Sequence, residues 1–178
     1  MRRASIRNLV VAAFAASLPA LPSFAGNLSL MIDGIGGSIE VLAFNFGARN
    51  QGSIASGGGS GAGKVSFTEF TFSATESAAS PSLFEYVNQG KHTPSARFTV
   101  NNPDTGKLHS EWVLTDVLVT SFSVTNGDLD PKAKLPNTFG APVTAFGLSF
   151  AKACYRVFAG DGSVAKESCW NVATNSTT

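Results

Sequence analysis

The chain has 178 residues, 43% hydrophobic and 14% charged, with 14 phenylalanines, which suits one globular domain with a sizeable core and argues against disorder. Its formal charge of +1 includes Arg2, Arg3 and Arg7, and without them ten Lys/Arg face twelve Asp/Glu. A mature chain so near neutrality, with no basic cluster, gives no reason to expect nucleic acid as a partner.

Residues 1–25 have the three-part build of a secretory signal: a basic start, an apolar run over 9–18, and Ser23-Phe24-Ala25 as a small-x-small cleavage site. Cleavage is expected after Ala25, with Gly26 the first mature residue. The apolar run falls short of the roughly 20 residues a membrane span needs and is followed by Pro19 and Pro22, so no span is expected after cleavage.

Leu28, Leu30 and Ile32 alternate with Ser29 and Met31, which predicts a strand, and residues 33–37 carry the glycines of a turn. Ile39 and Val41 then share one parity while Leu42, Phe44 and Phe46 share the other, a change of face that predicts a bulge. Residues 48–63 are mostly Gly, Ser, Ala, Asn and Gln and read as a long loop that is mobile or ordered by a partner.

Val65, Phe67, Phe70 and Phe72 form a further strand, with a similar change of face that predicts a bulge between Phe67 and Phe70. Ser80 is a good N-cap, Pro81 suits the first helical position and Gly90 suits a left-handed stop, so a short helix over about 81–89 is expected. Leu83, Phe84 and Val87 lie on one face of it, which should rest against a sheet. A strand restarts at Arg97. Residues 101–106 form a hairpin turn, residues 108–124 are long enough for one bent strand or two, residues 126–142 make a second exposed loop, and Phe146, Leu148 and Phe150 alternate again.

Asp161-Gly162 is a favoured centre for a two-residue hairpin turn. Counting outward from it, residue 160 pairs with 163 and Cys154 pairs with Cys169. Opposed residues in a ladder lie about 4.5–5.5 Å apart at Cα, a span a disulfide bridges. With an export signal, a Cys154–Cys169 bridge is expected over two free thiols.

Several motifs invite chemistry. Residues 58–64 satisfy G-x-x-x-x-G-K, but a phosphate loop needs Ser or Thr next and a helix start behind it, whereas Val65 opens a strand. No nucleotide or other cofactor is expected. His92 and His109 are far apart, without Cys or acidic residues at ligand spacing, so no metal site is expected and His92 reads as a structural hydrogen-bonding residue. Asp116 interrupts an apolar run; a buried carboxylate needs a partner, so it reads as structural, bonded to backbone or to a neighbouring subunit. No nucleophile elbow or Ser/His/Asp arrangement stands out, and nothing argues for an enzyme.

Residues 57–67, residues 80–100 with Gly90-Lys91-His92 and Pro94, Leu114-Thr115-Asp116-Val117-Leu118-Val119-Thr120-Ser121, Leu148-Ser149-Phe150-Ala151-Lys152, and Asp161-Gly162-Ser163 followed by Trp170-Asn171 together resemble the haemolysin-coregulated protein (Hcp) family, the tube subunits of bacterial type VI secretion systems. The resemblance runs over about 28–175 with its blocks in family order. It implies a mainly β fold: a compact barrel of two packed sheets with one short flanking helix, occupying residues 26–178. It further implies a homohexameric ring, stacking into a tube, with a lumen for effector cargo.

By the same resemblance, the loop holding Ser56, Gly57, Gly58, Gly59, Ser60, Gly61, Ala62, Gly63 and Lys64 takes part in contacts between subunits and rings. Two features depart from the family pattern. Members normally carry no export signal, and the position before Trp170, commonly glycine, is Cys169. The connection over 34–38 is also shorter than the charged segment of many relatives. The expected function is therefore an exported, non-enzymatic tube or carrier subunit, with partners in its own copies, effectors and other secretion components. The alternative is an exported binding module that reuses the fold.

Overall fold

A computed structural model describes residues 27–50, 65–125 and 142–178. In chain order it holds β1 (Leu28–Ile32), β2 (Ile35–Asn45), β3 (Ala48–Asn50), β4 (Val65–Phe67), β5 (Phe70–Thr75), α1 (Ser80–Gln89), β6 (His92–Asn101), β7 (Leu108–Thr125), β8 (Val143–Phe158), β9 (Val164–Asn171) and β10 (Ser176–Thr177). The sheet order is β10-β9-β8-β5-β2-β1-β6-β7, and β7 also pairs with β8. Six strands therefore close into a barrel, which removes their edges, while β9 and β10 extend from the second half of β8. The mainly β barrel with one short helix is thus present, as a sheet closed on itself plus a separate two-stranded ribbon of β3 and β4.

Register shifts in several of the barrel's strand pairs supply curvature. The register shifts between Val41 and Ala43, where the sequence changes face, and again between Val119 and Ser121. The other expected bulge, between Phe67 and Phe70, is instead a corner: Thr68 and Glu69 separate β4 from β5, and Thr68 N–H donates to Gly47 O at 2.8 Å across from the matching break between β2 and β3. The reason lies on β8. Phe70 is paired with Leu148, but by Lys152 the edge of β8 belongs to β9, so the chain preceding Phe70 has to turn away.

Other boundaries also move. The first turn is only Asp33-Gly34, with Gly34 at φ 80°, and β2 starts at Ile35. Residues 48–50, read as loop, are strand β3. β6 begins at His92 instead of Arg97, and residues 108–125 are one continuous strand.

The helix ends at Gly90 (φ 59°) as expected, but its N-cap is Ala79 and Ser80 is already helical. The Ser80 hydroxyl is used elsewhere: it accepts from Ser77 N–H at 3.1 Å and bonds the Thr144 hydroxyl at 3.2 Å, both side chains being buried. The inward face is also rotated from the expected one. Leu83 and Tyr86 are buried, whereas Phe84 is exposed and lies 5.6 Å from Phe122. Leu83 joins Leu30, Ile39, Phe70, Phe72, Phe98, Leu114 and Leu148 in the core. Each fully buried aromatic or aliphatic side chain there contributes about 1.5–3 kcal/mol.

Candidate functional site

Four features stand outside the barrel core. The first is the ribbon. β3 and β4 pair in the register Ala48 with Phe67, Arg49 with Ser66 and Asn50 with Val65. Its root is fixed by Gly47 N–H donating to the Thr68 hydroxyl at 2.7 Å, and by Phe67 stacking on Phe46 with ring centres 5.9 Å apart. All three residues of β3 are exposed.

The second is the C-terminal hook. Val172 N–H donates to Ala151 O at 2.8 Å, Thr174 N–H to Asn171 Oδ1 at 3.0 Å, and β10 folds back on β9. Asn175 adopts φ 52°, a left-handed conformation that asparagine tolerates better than most residues. Its Oδ1 accepts the Val65 N–H at 3.0 Å. The hook therefore touches the first residue of β4, and beside this contact Phe67, Phe150 and Val172 line a cavity of about 110 Å³.

The third is the disulfide. Cys154 and Cys169 stand opposite each other across β8 and β9 and are bonded, with Cα atoms 4.0 Å apart. The turn that sets this register is not the expected one. Ala159 N–H bonds Ser163 O, which makes residues 160–162 a three-residue loop with Gly162 at φ 89°, and a register shift between Val157 and Phe158 restores the pairing of Cys154 with Cys169. Asp161 braces the loop by accepting from both the Ser163 hydroxyl (2.6 Å) and the Ser163 N–H (2.9 Å), which hold its carboxyl below the usual value. Among the described residues the one group at metal-ligand spacing is Cys154, Glu167 and Cys169; its two sulfurs are committed to each other.

The fourth is a charge ladder that the sequence reading missed. Glu111, Arg156 and Glu167 are opposed in turn across β7, β8 and β9. Glu111 is 2% exposed, yet one carboxylate oxygen accepts from Arg97 Nη1 and the other from Arg156 Nη1 at 3.1 Å, while Arg156 Nε donates to Glu167 at 2.7 Å. The hydrogen bonds to Glu167 and then Glu111 raise the Arg156 pKa above its ordinary value. With the β8–β9 register in hand, the pairing of 156 with 167 was countable from the turn; the Glu111 connection needed the β7–β8 register as well.

His92 and Asp116, singled out separately, are brought together: His92 Nδ1 lies 2.8 Å from Asp116 Oδ1. Asp116 is not buried. Its φ of 52° breaks the alternation between Leu114 and Val117, so that both of these point inward while the aspartate points to solvent opposite Pro94, which has no N–H to offer. Its partner is a side chain, not backbone.

A family model described as the type VI secretion system effector Hcp matches residues 29–156. The chain belongs to the Hcp family. Its fold is similar to Hcp1 from Salmonella typhimurium, with a TM-score of 0.66, 25% identity, and coverage of 85% of this chain and 97% of that one. A type six secretion system protein gives a TM-score of 0.70 at 18% identity, covering 86% and 100%, and a type VI secretion system effector from Yersinia pestis gives 0.61 at 23% identity, covering 82% and 99%. None of the curated proteins matches the chain. Within this Hcp-family chain, Ala25 and Gly26 and the loop residues 56–64 lie outside the described residues, as does most of the second loop. The family match stops at Arg156, so Cys169, Glu167 and the hook fall beyond it.

Proposed function

We propose that this protein is an exported, non-enzymatic, ring-forming subunit of the Hcp kind: six copies assemble around a lumen that holds effector cargo, as part of a type VI secretion system. The family match over 29–156 carries this reading. The ribbon supports it, because β3 and β4 leave the barrel as a two-stranded unit and carry residues 56–64 between them. Removal of residues 1–25, with Ala25 and Gly26 flanking the cut, is part of the proposal and rests on the leader's composition. A disulfide on the periphery agrees with maturation in an oxidising compartment.

The test is the native mass of the mature chain, residues 26–178, purified from an oxidising compartment. A six-subunit species is expected. Replacing residues 56–62 with a short turn should leave the monomer cooperatively folded and weaken assembly. A stable monomer in the unaltered protein would overturn the ring and favour the second reading, an exported binding module, for which the disulfide and leader are the motivating features.

A further inference from the structure

We infer that Asn175 is a positioning residue for the far end of the ribbon, at Val65, and that the Cys154–Cys169 disulfide holds Asn175 in place, so that the redox state of the bridge controls the order of β4. The consequence for assembly rests on the ring-forming reading above; the ordering of β4 does not.

The path is short and continuous. Cys169 is covalently tied to β8, and β9 then runs through Trp170 to Asn171, where the hook begins. β10 returns along the same stretch, pairing Ser176 with Asn171 and Thr177 with Trp170, and Thr178 N–H bonds Cys169 O at 3.4 Å. Asn175 sits at the bend of this hook, and its side-chain oxygen takes the Val65 N–H. The bridge is therefore anchored in the part of β9 on which β10 folds.

Little else among the described residues holds β9. Five of its eight residues are exposed and the other three, Trp170 among them, are only half-buried, so burial of apolar area holds it less than it holds the barrel strands. What remains is the ladder to β8, the short ladder to β10, the Arg156–Glu167 pair and the disulfide. A strand secured this way, with only the two-residue β10 beyond it, is the part of the fold that opens at least cost. Opening it displaces Asn175 and returns the Val65 N–H to water, while the Gly47–Thr68 bonds still hold the other end of the ribbon.

The choice of residue at 175 is also specific. The backbone needs φ above zero and the ribbon needs an acceptor. Glycine meets the first need only, aspartate meets both, and alanine meets neither.

The experiment follows hydrogen exchange at the Val65 amide with residue-level resolution, in the full mature chain, with native mass recorded on the same samples. A water-soluble phosphine reduces the bridge: the S–S bond breaks, each sulfur becomes a thiol, two electrons come from phosphorus, and water supplies the two protons and the oxygen of the phosphine oxide. Reduction is verified by alkylation mass. Val65 should exchange about fivefold faster or more after reduction and in Asn175→Gly, and should keep its protection in Asn175→Asp, while Phe72 and Leu148 stay protected throughout. Unchanged Val65 exchange in the fully reduced protein, or in Asn175→Gly, overturns the inference. Loss of protection at Phe72 and Leu148 on reduction also overturns it, because the bridge would then hold the barrel and not the hook. These outcomes are read whether the native mass shows six copies or one, so failure of the ring reading is seen separately.

Discussion

Replacing Glu111 by glutamine tests whether the charge ladder is a stabilising network. The carboxylate is 2% exposed and gives one oxygen to Arg97 and the other to Arg156. Hydrogen bonds to charged groups are worth about 1.5–3 kcal/mol each, and removing one partner of a fully buried pair costs about 3–5 kcal/mol. Here the arginine side chains are 54% and 31% exposed, so both guanidiniums recover water and much of that cost is relieved. What is not relieved is the new amide NH2, a donor forced against a donor in a buried position. The expected loss is about 2 kcal/mol, measured by urea unfolding of the oxidised protein with an unchanged slope. Arg156→Ala should cost less, about 1–2 kcal/mol, and Arg97→Ala under about 1 kcal/mol, because Arg156 bridges two carboxylates and Arg97 serves one. The Glu111→Gln and Arg156→Ala losses should not add, since both remove the same bond. A loss under about 0.5 kcal/mol for Glu111→Gln, or strict additivity with Arg156→Ala, would refute the network.

Three further outcomes follow from individual contacts. Leu83→Asp places a carboxylate at a site 1% exposed between helix and barrel and should cost several kcal/mol; a thermal midpoint unchanged from the parent protein would contradict that placement. Gly34→Ala puts a methyl group against the Tyr86 hydroxyl on a backbone already at φ 80°, so it should destabilise by about 2 kcal/mol or more, and Tyr86→Phe in the same chain should recover the steric share while leaving about 1–2 kcal/mol of backbone strain. The Asp161 carboxyl is held below its ordinary value by Ser163. A depressed carboxyl stabilises the fold above its unfolded value, near pH 4, and that contribution is lost as the pH falls through the folded value. Ser163→Ala should therefore move the carboxyl's NMR titration upward, and an unmoved titration would sink the assignment.

How far the fold was legible depended on whether a residue's role is local or set by pairing. The strand Leu28–Ile32, the helix stop at Gly90 and the change of face near Leu42 follow from alternation and turn chemistry, and these hold. The Cys154–Cys169 bridge was countable from Asp161-Gly162, although the count succeeded because two single-residue departures, a longer turn and a bulge on β9, cancel. Asp116 was misplaced because an apolar run gives no sign that one residue in it has taken a left-handed turn to solvent. Phe84 was misplaced because helical spacing fits two overlapping faces, and only packing against β7 and the Ser80–Thr144 hydroxyl pair selects the one through Leu83 and Tyr86. The corner at Thr68-Glu69 depends on where β5 stops pairing with β8 and β9 takes over its edge, and the β5–β8 pairing joins Phe70 to Leu148, too far apart in the chain for any local pattern to encode.

β8 explains why the barrel and its attachment are held by different forces. Its first half, paired with β5 and β7, carries buried Val143, Thr144, Phe146 and Leu148, so that half is stabilised by burial and needs no cross-link. Its second half faces β9, whose side chains contribute almost nothing to the core. There the same strand presents Cys154 and Arg156 on one face, and each finds its partner directly opposite, Cys169 and Glu167. A covalent bond and an ion pair thus stand where β9 adds little hydrophobic contact of its own. It follows that the barrel can fold before the bridge forms, and that oxidation completes only the periphery. In the reduced chain the core amides of Phe72 and Leu148 should remain protected while β9 and β10 exchange freely, because the two regions share a strand but not a source of stability.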